Sequence, residues 1–127
     1  MSRVIHFEIH ADDPAAAARW HSELFGWRVQ ELPGLDYWSI ATGTGPGIDG
    51  GIVRRRGPAS AAGAPISSFV CTIGTEDIDR DLSQALAANG TEALPKNAIP
   101  GVGWQAYLRD PFGNIFGLHQ ADASASP

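Results

Sequence analysis

The stretch HFEIHADDPAAAARWHSELFGW, residues 6–27, decides the reading of the fold. From Val4 to His10 apolar and polar residues alternate, so Ile5, Phe7 and Ile9 share one face while His6, Glu8 and His10 share the other. That alternation predicts a strand with one face for a core and one polar face. Asp13 before Pro14 combines an N-cap residue with a proline at the first helical position, and Ala17, Trp20 and Leu24 recur at helical spacing up to Gly26. A helix therefore follows the strand, with Trp20 expected in the core and His21, one step off the apolar stripe, at an edge.

Working outward, WRVQEL (27–32), LDYWSIAT (35–42) and GGIVRRR (50–56) are bounded by Pro or Gly and rich in aromatic or β-branched residues, which predicts three strands joined by hairpins. The second half repeats the order. SSFVCTI (67–73) reads as a strand, and Thr75 as the cap of a helix with Glu76 and Asp77 in its first turn and Ile78, Leu82 and Leu86 on its apolar stripe. TEALPK, GWQAYLR and NIFGLHQ supply three more strands, the first weakened by its charges and proline. Phe7 and Phe69 recur 62 residues apart, as do Asp13 and Thr75, and Gly26 and Gly90 recur at 64. The chain is thus predicted to be an α+β protein of two tandem β-α-β-β-β modules, about 3–57 and 66–120, within one domain spanning 1–120. With only one face of each opening strand apolar, the helices belong outside. A curved, half-barrel-type mixed sheet is left around a concave pocket suited to a small molecule. The tail ADASASP, residues 121–127, is expected to be disordered.

Composition narrows the functional classes. Nine basic against fourteen acidic residues give a net charge of −5, which opposes nucleic-acid binding. No apolar run approaches the roughly 20 residues of a membrane span, and MSRVIHFEIHADD lacks the pattern of a signal peptide, so a cytoplasmic protein is expected. The single cysteine, Cys71, alternates with Phe69 and Ile73 and is expected to be a buried, inert thiol. The glycine-rich GTGPGIDGG, residues 43–51, is followed by neither Lys-Ser/Thr nor a helix, so a flexible hairpin loop is expected rather than a phosphate cradle. Arg54, Arg55 and Arg56 read as a solvated strand end.

Residues 6–27, together with DPFGNIFGL at 110–118 and the duplicated β-α-β-β-β order, resemble the vicinal oxygen chelate superfamily of glyoxalases, bleomycin-resistance proteins and extradiol dioxygenases. The resemblance covers about residues 3–120. It implies a homodimer and, in metal-dependent members, four His or Glu ligands from the first and last strand of each module.

On that resemblance His6 falls at the first ligand position, and an offset of 62 puts Ser68 at its counterpart. The last strand of module one offers nothing, because residues 32–75 contain no Glu and no His. In the last strand of module two the family's glutamate falls seven residues after Asp110, at Gly117. One imidazole is a poor cage for an ion, so no cofactor is expected and the first functional reading is a small-molecule-binding domain with a degenerate metal site. Its pocket residues are His6, Glu8, Trp38, Trp104, Gly117 and His119, the tryptophans lining it for a flat ligand. The alternative is a divalent-metal-dependent lyase or dioxygenase holding its ion with His6, Glu8 and His119, a two-histidine, one-carboxylate set.

Overall fold

The computed structural model describes residues 2–65, 69–112 and 114–127. Two helices and eight strands follow in the order expected: β1 (Val4–Ala11), α1 (Pro14–Phe25), β2 (Arg28–Leu32), β3 (Tyr37–Ala41), β4 (Asp49–Arg54), β5 (Val70–Gly74), α2 (Ile78–Ala87), β6 (Thr91–Ile99), β7 (Gly103–Arg109) and β8 (Ile115–Ala121). They belong to two compact units, 6–69 and 70–127, the second also including residues 2–5. The fold is α+β, with β-α-β-β-β order in both halves. Ser68 and the Gly113 of the DPFGN turn lie outside the described residues.

In the first unit the strand order is β2-β3-β4-β1, antiparallel except for the parallel pair β1 and β4. Asp13 caps α1 as its sequence demands, its carboxylate accepting from Ala16 N–H, and Gly26 ends the helix at φ 74, a left-handed backbone that glycine adopts without strain. Phe7, Ile9, Trp38, Ile40 and Ile52 form the buried core, with Ala17, Ala18 and Trp27 packed against it. Trp20 departs from expectation. It lies 57 % exposed at the outer side of α1, because the small alanines and not the indole face the sheet. His21 sits half-buried, donating from Nδ1 to Ala17 O and stacked on Trp27 at 5.6 Å.

The second unit repeats this as β5-β8-β7-β6, with β5 and β8 parallel. Its core is Ile78, Ala106, Leu108 and Leu118, backed by Ile73, Leu82, Ala85 and Trp104. The N-cap of α2 is Asp77, accepting from Arg80 N–H, while Thr75 stands two residues earlier, accepting from Asp77 N–H and donating to the Asp81 carboxylate. β6, the weak candidate, runs nine residues, and its Pro95 lies where the ladder to β7 shifts register, the place a sheet tolerates a residue without an N–H. The tail does not fray. Ala125 is buried, its carbonyl accepts from Gly101 N–H, and Asp122 N–H donates to Val102 O. Cys71 is exposed rather than buried.

Candidate functional site

Strand parity sorts the candidates. In the first unit the ladders set His6 opposite Asp49, Glu8 opposite Gly51, Gly51 opposite Ser39 and Tyr37 opposite Val53, so these residues share the face away from α1. The Tyr37 hydroxyl lies 3.0 Å from His6 Nε2. It also covers Gly51: a Cβ on that glycine would stand 1.9 Å from the phenol oxygen. Burial pushes the Tyr37 phenol up to about 12, helped by the negative charge of Glu8. Burial likewise lowers His6 below its ordinary value, against the opposing pull of Glu8 and Asp49. Both shifts favour the neutral forms, and the direction of the hydrogen bond between phenol and imidazole follows the tautomer of His6. Glu8 is buried, only 6 % exposed, with His10 Nε2 3.4 Å from its carboxylate.

In the second unit Thr72 stands opposite Gly117, Tyr107 opposite Gly117 on the other side, and Gln105 opposite His119. Gln105 is held at both ends, its Nε2 donating to Tyr107 Oη at 3.1 Å and its Oε1 accepting from His119 Nδ1 at 3.2 Å. Thr72 is 2 % exposed and its hydroxyl has no hydrogen-bond partner. A Cβ on Gly117 would meet Thr72 Oγ1 at 3.0 Å, Tyr107 Cε1 at 3.4 Å and Gln105 Nε2 at 3.5 Å.

Of the residues singled out from sequence, His6 and Glu8 share one polar face and Gly117 and His119 the other. Trp38 and Trp104 do not join them. Each falls one residue out of step with those faces: Trp38 is in the core under α1, and Trp104 packs on the core under α2, its indole N–H donating to Asp122 at 3.0 Å and Lys96 lying over its ring. The helix caps also correct the repeat offset. Asp13 and Asp77 stand 64 residues apart, which pairs Glu8 with Thr72 and His6 with Val70 rather than Ser68; the strand partners of Glu8 and Thr72, Gly51 and Gly117, then match at 66. Tyr37, Asp49, Thr72, Gln105 and Tyr107 went unremarked in the sequence. Asp49 escaped because only Glu and His were sought as ligands, and its carboxylate is turned to Thr42, accepting from both N–H and hydroxyl. Arg54 and Arg55 are tied to Asp36 and Asp12 and so are not a free anion clamp. Within either unit, among the described residues, no three His, Cys, Asp or Glu side chains are grouped to hold an ion.

With the two polar faces in view, the family model of the glyoxalase-like domain matches residues 6–119. The chain belongs to the glyoxalase-like domain family. The resemblance carried by residues 6–27 and 110–118 is thereby borne out at the level of fold and superfamily. Among curated proteins, CFP32 of Mycobacterium tuberculosis (strain CDC 1551 / Oshkosh), provisionally named a glyoxylase, is 25 % identical over 118 residues. That alignment covers 91 % of this chain but 44 % of the relative, so this glyoxalase-like chain spans less than half the length of the curated protein it matches. Among solved structures, the Mn(II)-bound glyoxalase from Novosphingobium aromaticivorans superposes with a TM-score of 0.63 at 15 % identity, covering 99 % of this chain and 42 % of that one. A glyoxalase/bleomycin resistance protein/dioxygenase superfamily member from Vibrio splendidus 12B01 gives 0.61 at 18 % identity, covering 94 % and 99 %. At these identities the structures speak for the fold alone. No helix is long and apolar enough to cross a membrane.

Proposed function

We propose that this glyoxalase-like domain binds a small organic molecule through hydrogen bonds from its polar sheet faces, without a resident divalent ion. The observation that carries the reading is the matched pair Gly51 and Gly117. On the family pattern the last strand of each module presents a His or Glu ligand, and here both positions lack a side chain. Uncharged groups stand over them instead, the Tyr37 phenol above Gly51 and the Thr72, Gln105 and Tyr107 side chains around Gly117. His6, the one ligand-type residue at a family position, has its Nε2 engaged by Tyr37. Glycines give an ion nothing to bind, and a neutral donor set favours a neutral organic ligand. We further propose that two copies of the chain pair, since relatives such as CFP32 carry about twice its length.

A second reading keeps the metal. Glu8 is a carboxylate held out of water beside His10 and within the field of His6, and carboxylate and imidazole are the ligand types a metal-dependent lyase or dioxygenase would use. Elemental analysis of protein purified without chelators separates the two. The hydrogen-bonding reading predicts well under one equivalent of manganese, iron, nickel or zinc per chain, and a stoichiometric ion lost in both His6→Ala and Glu8→Ala would establish the other.

A further inference from the structure

Gly51 and Gly117 occupy equivalent places, yet only one is closed over by the protein itself. At Gly51 the phenol of Tyr37 fills the space a side chain would take. At Gly117 no atom does so: Thr72 Oγ1 and Gln105 Nε2 converge on the vacant Cβ position from 3.0 and 3.5 Å, with the edge of Tyr107 at 3.4 Å. Two of these atoms are donors. The amide of Gln105 cannot turn away, because His119 and Tyr107 pin its two ends, and the Thr72 hydroxyl lies buried with no partner. A buried hydroxyl left unpaired weakens a fold, whereas valine would fill the same volume without that cost. Among the described residues the side chains nearest that position, those of Thr72, Gln105 and Tyr107, are uncharged and offer a carboxylate no counter-charge.

We infer that the buried polar cluster around Gly117 is a recognition subsite for the carbonyl or hydroxyl oxygen of an uncharged ligand, with the Thr72 hydroxyl as the donor that reads it. This rests on the ligand-binding reading given above and assigns the chemistry of one part of that site. Gly117 puts no side chain of its own between Thr72 and Gln105, and Gln105 supplies the second donor.

The test joins stability with binding. Thr72→Val removes the unpaired hydroxyl, so its melting temperature is expected to rise by about 3–6 °C over the native protein. Titration of ¹⁵N-labelled protein with N-methylacetamide, followed by amide shifts, is expected to move Thr72 and Gly117 in the native protein. Those shifts are expected to weaken at least tenfold in Thr72→Val and to return in Thr72→Ser. Acetate and methylammonium at the same concentrations are expected to leave both amides in place. A fall in melting temperature on Thr72→Val would mean that the hydroxyl already has a permanent partner, and would overturn the subsite. So would shifts that ignore the Thr72 substitutions, or stronger shifts with acetate. Shifts confined to the His6 and Tyr37 amides would also overturn it while leaving the broader ligand-binding reading intact, which falls only to a stoichiometric ion.

Discussion

Gly51 and Gly117 are the same position in two copies of one unit, and they have diverged in what surrounds them. Gly51 is sealed by a phenol already bonded to His6, whereas Gly117 is bordered by a held amide and an unpaired hydroxyl. Duplication fixes the backbone frame, and a handful of polar side chains then decide whether the group over the glycine is bonded within the protein or left unpaired. At this position the first unit has bonded the polar group that stands over its glycine. The second has not.

Alanine substitution along the two last strands should expose this difference most strongly. Gly50→Ala should cost most, about 3 kcal/mol or more in urea unfolding, because its Cβ would stand 2.5 Å from the Phe7 carbonyl oxygen and backbone cannot step aside. Gly51→Ala should cost about 2 kcal/mol, since the 1.9 Å clash is with the end of a movable side chain whose displacement also breaks the bond to His6. Gly117→Ala, with its nearest contact at 3.0 Å, should cost about 1 kcal/mol or less. Equal costs at Gly51 and Gly117 would erase the distinction between the units.

Tyr37→Phe should destabilise by about 1 kcal/mol, the usual worth of one hydrogen bond, with its effect read at neutral pH. The pH dependence sharpens the same point. Burial holds His6 below its ordinary 6.5, so between the folded value and 6.5 the unfolded chain binds more protons, and stability falls as the pH drops through that window. Tyr37 is raised from 10.0 to about 12, so its contribution is intact below pH 10.0 and is lost as the pH climbs from there towards 12. Denaturant midpoints measured across both windows should lose the alkaline decline in Tyr37→Phe and the corresponding acid component in His6→Gln. The smallest effect concerns Cys71, which matches Phe7 at the 64-residue offset but is exposed where Phe7 is buried. A thiol reagent should label it in the native protein, and Cys71→Ser should leave stability within about 0.5 kcal/mol.

Much of the frame could be read directly. Alternation in VIHFEIH, the Asp13-Pro14 start and the recurrence of strand and helix are local signals, and each appears where its physics requires. Strand register was not legible, because it depends on which backbone groups of distant segments pair. That single ignorance moved Trp38 and Trp104 to the pocket and matched His6 with Ser68. It also concealed that Gly51 repeats Gly117, and that Tyr37 and Gln105 stand on the polar faces. Trp20 misled for a different reason: helical spacing fixes a stripe but not which edge of it meets the sheet, and the alanines beside it pack closer. The tail composition ADASASP carried no sign that the carbonyl of Ala125 would find Gly101.

The central claim is that neutral hydrogen-bonding groups stand where metal-dependent relatives place ligands. Addition of Mn²⁺ to ¹⁵N-labelled protein tests it most directly, because a bound paramagnetic ion erases the signals of its neighbours. At one equivalent, the imidazole and backbone signals of His6, Glu8, Gly51, Gly117 and His119 are predicted to keep their intensity. Selective loss of the His6, Glu8 and His119 signals, reversed by chelator, would contradict the account.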